Sequence, residues 1–217
     1  MTDPQPYVSA ATQELNKPTF ELTMQHLQVM EIELENGYPK VARVNLNHYE
    51  DTVAVYFHIK NERFFLVVNV AKSSIPNIKW IWVESGHRVY LTAATETLSY
   101  EDLSSILPYD NLSGWSKGDL QRNKKLKYNF TRISYEPNMN EAYGLEEKLL
   151  ELLKELEKEA DSIRELTKKT KAYISVCKHQ YISANAGIHL DLETLSRLSG
   201  LNLALDIDTH ICGQEIE

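Results

Sequence analysis

Three residues capable of chemistry sit two apart near the C-terminus: Asp206, Asp208 and His210. In an extended strand that spacing sends all three side chains to one face. Carboxylates and an imidazole are ligands that zinc accepts. Cys177 and His179 share the same spacing and could set an imidazole beside a thiol, as in a nucleophilic dyad. Both signals are generic, because any i, i+2 pair on a strand shares a face, and a buried cysteine is more often inert than reactive. The expectation is therefore no bound metal, no cofactor and no catalytic residue. A third constellation is the turn Gly114-Trp115-Ser116-Lys117-Gly118-Asp119. Its two glycines allow positive φ, and Lys117 with nearby N–H groups could hold an anion. It is not a Walker loop, because the spacing differs and no Ser or Thr follows the lysine. Turns demand Gly and Asp for steric reasons, so a structural turn, with Trp115 packed on the domain and Asp119 bonded to the backbone, is the leading reading. Lys117, Arg122, Lys124, Lys125 and Lys127 then place five cations in eleven residues. With only Trp115 and Tyr128 as aromatic neighbours, stacking support for a nucleic acid is thin, and the stretch reads as a solvated loop or as charges guarding a strand edge. His-Glu-x-x-His, Cys-x-x-Cys and Gly-x-Gly-x-x-Gly do not occur.

The elements that carry these residues come in two styles. Residues 1–18 are polar and Pro-containing and read as a flexible lead-in. Residues 19–85 read as an antiparallel sheet, with no convincing helix. Val53, Val55, Phe57 and Ile59 alternate with Ala54, Tyr56 and His58, the period of a strand. The run Phe64-Phe65-Leu66-Val67-Val68 suggests a strand buried on both faces. Further strands are expected at residues 20–34, 40–47 and 78–84. From Ser85-Gly86 onward strands and helices alternate, so residues 86–213 read as an α+β domain. A strand at 87–96 leads to a helix from Ser99 to about Leu107, a loop over 108–123, and a strand near 128–135 that Pro137-Asn138 ends. Leu145, Leu149, Leu152, Leu156, Ala160, Ile163 and Leu166 recur three or four apart, which predicts one continuous helix over 145–169. A strand at 173–179 follows, then a helix capped by Asp191 and closed by Gly200, then a strand over 203–212.

One segment occurs twice. Arg88-Val89-Tyr90-Leu91-Thr92-Ala93 matches Lys171-Ala172-Tyr173-Ile174-Ser175-Val176 in residue character, and each copy is followed by a short capped helix. The expected fold is thus α+β: an N-terminal antiparallel β-meander, then an α/β-sandwich-like domain of two related strand–helix–strand units. Parity sorts the second sheet into two faces. Val89, Leu91, Ala93, Ile174 and Val176 form an apolar face for the helices. Tyr90, Thr92, Glu96, Tyr173, Ser175, Cys177, His179, Asp206, Asp208 and His210 form a polar one.

The second half resembles a bacterial family designated DUF4279, a domain of unknown function. The residues that carry the likeness are Thr97-Leu98-Ser99-Tyr100-Glu101-Asp102-Leu103, the Gly114-to-Asp119 turn, the Leu-rich helix, and the closing 192–205 stretch with Asp206-Ile207-Asp208. The resemblance covers roughly residues 86–213 and implies an α+β domain with no assigned activity. The first eighty-odd residues look like an N-terminal extension.

Composition narrows the function. A chain of 217 residues can bury roughly 70% of its unfolded surface and needs no disulfide or metal to support a core. The net charge of −8 disfavours nucleic acid and anionic membranes and suits a basic protein partner. Two cysteines make no disulfide framework, the N-terminus has no signal-peptide pattern, and no apolar run reaches a membrane span, so the expected compartment is the cytoplasm. The leading functional expectation is a non-enzymatic protein-binding module, in its sharpest form an immunity-type protein. Tyr90, Tyr173, His179, Asp206, Asp208, His210, Trp115, Lys117 and Asp119 are its binding candidates. The competing expectation is a small-molecule sensor or enzyme using the His/Asp/Cys face. A deep pocket on that face favours the second, a flat or convex one the first.

Overall fold

Pro4 and Pro6 set rigid φ angles where a helix begins, and Ala11 and Leu15 recur four apart behind them. Gln5–Asn16 accordingly form helix α1 in the computed structural model, which describes residues 3–137, 142–184 and 187–216. A helix thus stands where the flexible lead-in was expected, because Ala11 and Leu15 bury against the first sheet. Glu14 is buried beside them. Its carboxylate accepts the N–H groups of Thr19 and Phe20 at 2.9 and 3.0 Å, and the hydroxyls of Thr19 and Thr23 at 2.6 and 2.7 Å. Burial opposes its ionisation, but these bonds outweigh burial and hold the carboxyl below its ordinary value. They also fix the corner into α2, Glu21–Val29. The strand expected over 20–34 is therefore mostly helix, reverting to extended backbone at Met30.

Asn36 and Gly37 take φ of 53° and 82°, as a tight hairpin turn requires, and join β1, Leu34–Glu35, to β2, Tyr38–Pro39. The meander follows: β3 Val41–Asn45, β4 Thr52–His58, β5 Phe65–Ala71 and β6 Ile78–Glu84, antiparallel and in sequence order. The alternation in β4 is that of a strand, and both its faces are buried. Val53, Val55 and Phe57 join the cluster beneath α1, while Ala54 and Tyr56 pack with Phe65, Val67 and Ala142.

Gly86 passes the chain into the second sheet. A Cβ built on it would lie 1.6 Å from the Arg63 carbonyl oxygen, so only glycine fits. The second sheet comprises β7 Gly86–Thr95, β8 Leu112–Trp115, β9 Thr131–Tyr135, β10 Lys171–Tyr181 and β11 Ala204–Cys212, in the order β11-β10-β7-β9-β8. β10 pairs parallel with β11, and every other neighbour is antiparallel. Between β7 and β8 runs α3, Tyr100–Ser104, and between β10 and β11 runs α6, Leu192–Gly200. Two antiparallel steps make β7 and β8 parallel, so each copy of the repeat is a parallel strand–helix–strand unit, with β9 wedged into the first. β8 lies inside the expected loop.

Ser99 caps α3 in a capping box with Asp102, although the helix stops at Ser104 rather than near Leu107. Asp191 caps α6, accepting the Thr194 N–H at 2.7 Å. Gly200 is its last helical residue, and Asn202, with φ of 54°, takes the left-handed conformation expected of the glycine. The single helix over 145–169 is instead two: α4 Leu145–Lys158 and α5 Ala160–Lys169, parted at Glu159 with φ −114° and ψ 33°. No proline or glycine marks the break. The Glu159 N–H bonds to the Leu156 carbonyl, a tightening of the last turn. Leu149, Leu152, Leu156, Ile163 and Leu166 are all fully buried across it, packed on Val89, Leu91, Ala93, Ile133, Ile174 and Val176. Among the described residues no helix is long and apolar enough to cross a membrane. The chain turn expected at Pro137-Asn138 lies partly outside the described residues.

Candidate functional site

With the helices on one side, the opposite face of the second sheet carries side chains two apart on five strands. Register defines its rows. Thr92 lies between Ser134 and Tyr173, Ser175 between Tyr90 and Asp206, Cys177 between Arg88 and Asp208, and His179 between Gly86 and His210. The parity derived from the sequence therefore holds on β7, β10 and β11. Asp206, Asp208 and His210 are exposed, and Tyr90, Tyr173 and His179 are half-buried. The meander does not cover the face.

This face has two halves. On the β10–β11 half, His179 and His210 stack with ring centroids 5.2 Å apart, and Cys177 Sγ lies 3.4 Å from His179 Nε2. Burial pushes the Cys177 thiol up, against the pull of Arg88, which is the wrong direction for a nucleophile. Among the described residues, no group of three or more His, Cys, Asp or Glu side chains is placed to hold a metal ion.

On the β7–β9–β8 half, the chain after β8 folds back over the sheet and walls an open cleft of about 890 Å³. Its floor is Arg88, Tyr90, Arg132 and Ser134; its wall is Trp115, Asp119, Arg122, Lys124 and Tyr128. Arg88 is bound to Glu136, Nε to Oε1 at 3.0 Å and Nη2 to Oε2 at 2.5 Å. That bond keeps the guanidinium firmly charged. Arg132 donates to Ser134 Oγ at 3.3 Å and to Thr92 Oγ1 at 3.2 Å. Thr92 Oγ1 in turn lies 2.8 Å from Ser175 Oγ, a hydrogen bond in which either hydroxyl can donate. Among the described residues no carboxylate comes within 4.0 Å of Arg122, Lys124 or Arg132. The aromatic rings are held in place. Trp115 stacks on Tyr128 at 4.2 Å, and the guanidinium groups of Arg88 and Arg132 lie 5.4 and 5.9 Å from the centroid of the Tyr90 ring.

The turn at 114–119 divides its residues among different tasks. Trp115 faces the cleft. Asp119 Oδ2 accepts the Ser116 N–H at 2.7 Å, the backbone bond expected of it. Lys117 leaves the cleft: its N–H bonds to Thr131 and its Nζ lies 3.7 Å from Glu96. Only Gly118 takes positive φ, 93°. Gly114 is a strand residue whose missing Cβ admits the Arg132 carbonyl, which would otherwise sit 2.0 Å away. Gly114-Trp115-Ser116-Lys117-Gly118 also spells Gly-x-Ser-x-Gly, a match not singled out from the sequence. A nucleophile elbow needs that serine exposed between a strand and a helix. Here a turn follows β8, and Ser116 Oγ accepts the Tyr100 N–H at 2.8 Å. Arg88 and Arg132 were not singled out from the sequence as site residues; the parity that selected Tyr90 and Thr92 includes Arg88.

A second cavity, about 430 Å³, lies between the two sheets and is lined by Tyr56, Glu84, Ser85, His87 and Lys178 among others. Among the described residues, Ser85 Oγ and His87 Nδ1 are buried there with no hydrogen-bond partner. Burial and then the charges of Lys178 and Lys148 push His87 down to about 4.

The fold and face define an α+β domain whose sheet is helix-covered on one side and open for contact on the other. The family described as Domain of unknown function (DUF4279) matches residues 85–211, and the chain belongs to that family. No curated protein and no solved structure matches it.

Proposed function

We propose that the protein is a non-enzymatic binding module that captures a small anionic molecule in the cleft of its second sheet. One observation carries this: Arg122, Lys124 and Arg132 face the cleft with no carboxylate partner among the described residues, in a chain of net charge −8. Asp119 also lines the cleft and Glu136 pairs Arg88, but cations outnumber carboxylates there, and an excess of one sign in a cleft concentrates the opposite one. This departs from the expectation of a basic protein partner, which the cleft would repel. The raised Cys177 thiol supports binding over covalent chemistry. The test is calorimetric titration with pyrophosphate at two salt concentrations. Binding that weakens with salt and falls about tenfold in Arg132→Gln supports the reading; no measurable binding to the folded protein overturns it.

A second reading rests on the other half of the face. Asp206 and Asp208 are exposed, with no cation within 4.0 Å among the described residues. They favour a basic protein partner there, the immunity-type role. Affinity capture with the wild type and Asp206→Asn/Asp208→Asn side by side tests it. A partner held equally by both removes the support.

A further inference from the structure

We infer that the anion taken by this cleft is a mononucleotide, bound through both its phosphate and its base; the inference rests on the anion-binding reading above. The cleft is far larger than a lone phosphate needs. At about 890 Å³ it falls in the range of sites that enclose whole small molecules, ~300–1,000 Å³. Cations and aromatic rings are interleaved within it rather than segregated. Arg132 lies over both Tyr90 and Trp115, at 5.9 and 5.6 Å from their ring centroids, and Tyr128 stacks against Trp115. A guanidinium recognises phosphate through paired, parallel N–H bonds. A flat heterocycle gains by stacking on an aromatic ring or on the guanidinium plane itself. Nucleoside phosphates join a compact anion to a planar ring as a class. Fixed side chains also lower the ordering cost of binding. Arg132 is tied to Ser134 and Thr92, and Trp115 and Tyr128 are tied to each other.

A single nucleotide fits better than a strand. Phosphates running on across the face toward β11 would meet Asp206 and Asp208, and the chain's net charge of −8 repels an extended polyanion while leaving one local cationic site effective.

The experiment titrates the full chain with adenosine monophosphate, inorganic phosphate, adenosine and a short oligothymidylate, followed by calorimetry and tryptophan fluorescence. Adenosine monophosphate is expected to bind roughly five- to hundredfold more tightly than inorganic phosphate, the increment that one stacked base supplies. Tyr128→Ala should erase that increment and leave phosphate binding unchanged. Arg132→Gln should weaken both by about tenfold. If that variant fails to fold by circular dichroism, Arg122→Gln on the exposed wall serves in its place. Equal affinity for the nucleotide and for phosphate overturns the nucleotide inference and leaves anion capture standing. No binding of either anion overturns both. Tighter binding of the oligonucleotide than of the mononucleotide overturns the single-nucleotide inference in favour of a strand.

Discussion

Acid should loosen this protein through His87 before it titrates the carboxylates. The imidazole is 6% exposed. Burial, Lys178, Lys148 and His179 all oppose its protonation, in that order, and only a backbone hydrogen bond with Tyr143 favours it, leaving its pKa at about 4 against an ordinary 6.5. Lys148 also donates to the His87 carbonyl at 2.5 Å, so a cation is anchored beside the ring. A histidine with a depressed folded pKa binds its proton more readily in the unfolded chain. The stability it confers is therefore complete above 6.5, falls as the pH drops below that, and is fully lost below about 4. The linkage relation gives a loss of about 2 kcal/mol between pH 7 and pH 5, approaching about 3 kcal/mol below pH 4. His26 and His48 are also depressed by burial and add to the wild-type slope, so the informative quantity is a difference. Urea unfolding at pH 7 and pH 5 for the wild type and His87→Gln should show a shallower pH dependence in the variant. If His87→Gln is too unstable to measure, the ring can be followed by NMR in the wild type and should stay neutral down to pH 5. Identical slopes in the two proteins, or a ring titrating near 6.5, would refute the reasoning.

Leu152→Ala removes a fully buried side chain between α4 and the second sheet and should destabilise the protein by about 2–5 kcal/mol in urea unfolding; a loss well under 1 kcal/mol would mean that the stripe is not core. Gly86→Ala forces a methyl group to within 1.6 Å of a backbone oxygen. That contact has no flexible side chain to absorb it, so the loss should reach or exceed the ~3 kcal/mol upper range of ordinary overpacking; a wild-type unfolding midpoint would show that the chain passes Arg63 differently.

The strands of this fold are legible because burial leaves its period in the sequence. Phe64 to Val68 is apolar throughout, and β5 is covered on both faces. Where the signal is short or carries breakers, it fails. The helix α1 begins among prolines and turns polar at Glu14, whose burial makes sense only once Thr19, Phe20 and Thr23 fold back onto it. The strand β8 is four residues containing Ser113 and Gly114, both typical of loops, and it pairs because a missing Cβ admits the Arg132 carbonyl. Nothing local announces the break at Glu159. The apolar stripe continues through it in helical register, so hydrophobic periodicity cannot reveal it.

The site divides along the same line. Period-2 parity on three strands was enough to collect Tyr90, Tyr173, Asp206 and Asp208 on one face. It could not reveal that the residues following β8 fold back over part of that face. The basic stretch was visible, but the fold separates its members: Lys117 turns to Glu96, while Arg122 and Lys124 meet Arg88 and Arg132 from other strands. That meeting is the least self-explanatory feature of the molecule. Cations gathered in one cleft repel each other, and an acidic chain has carboxylates enough to neutralise them. Arg132 is instead committed to Ser134 and Thr92, a polar network that positions its charge without cancelling it. Local arrangements that forgo available stability tend to mark the places where a protein works, and this one points its charge at the open cleft rather than at the core.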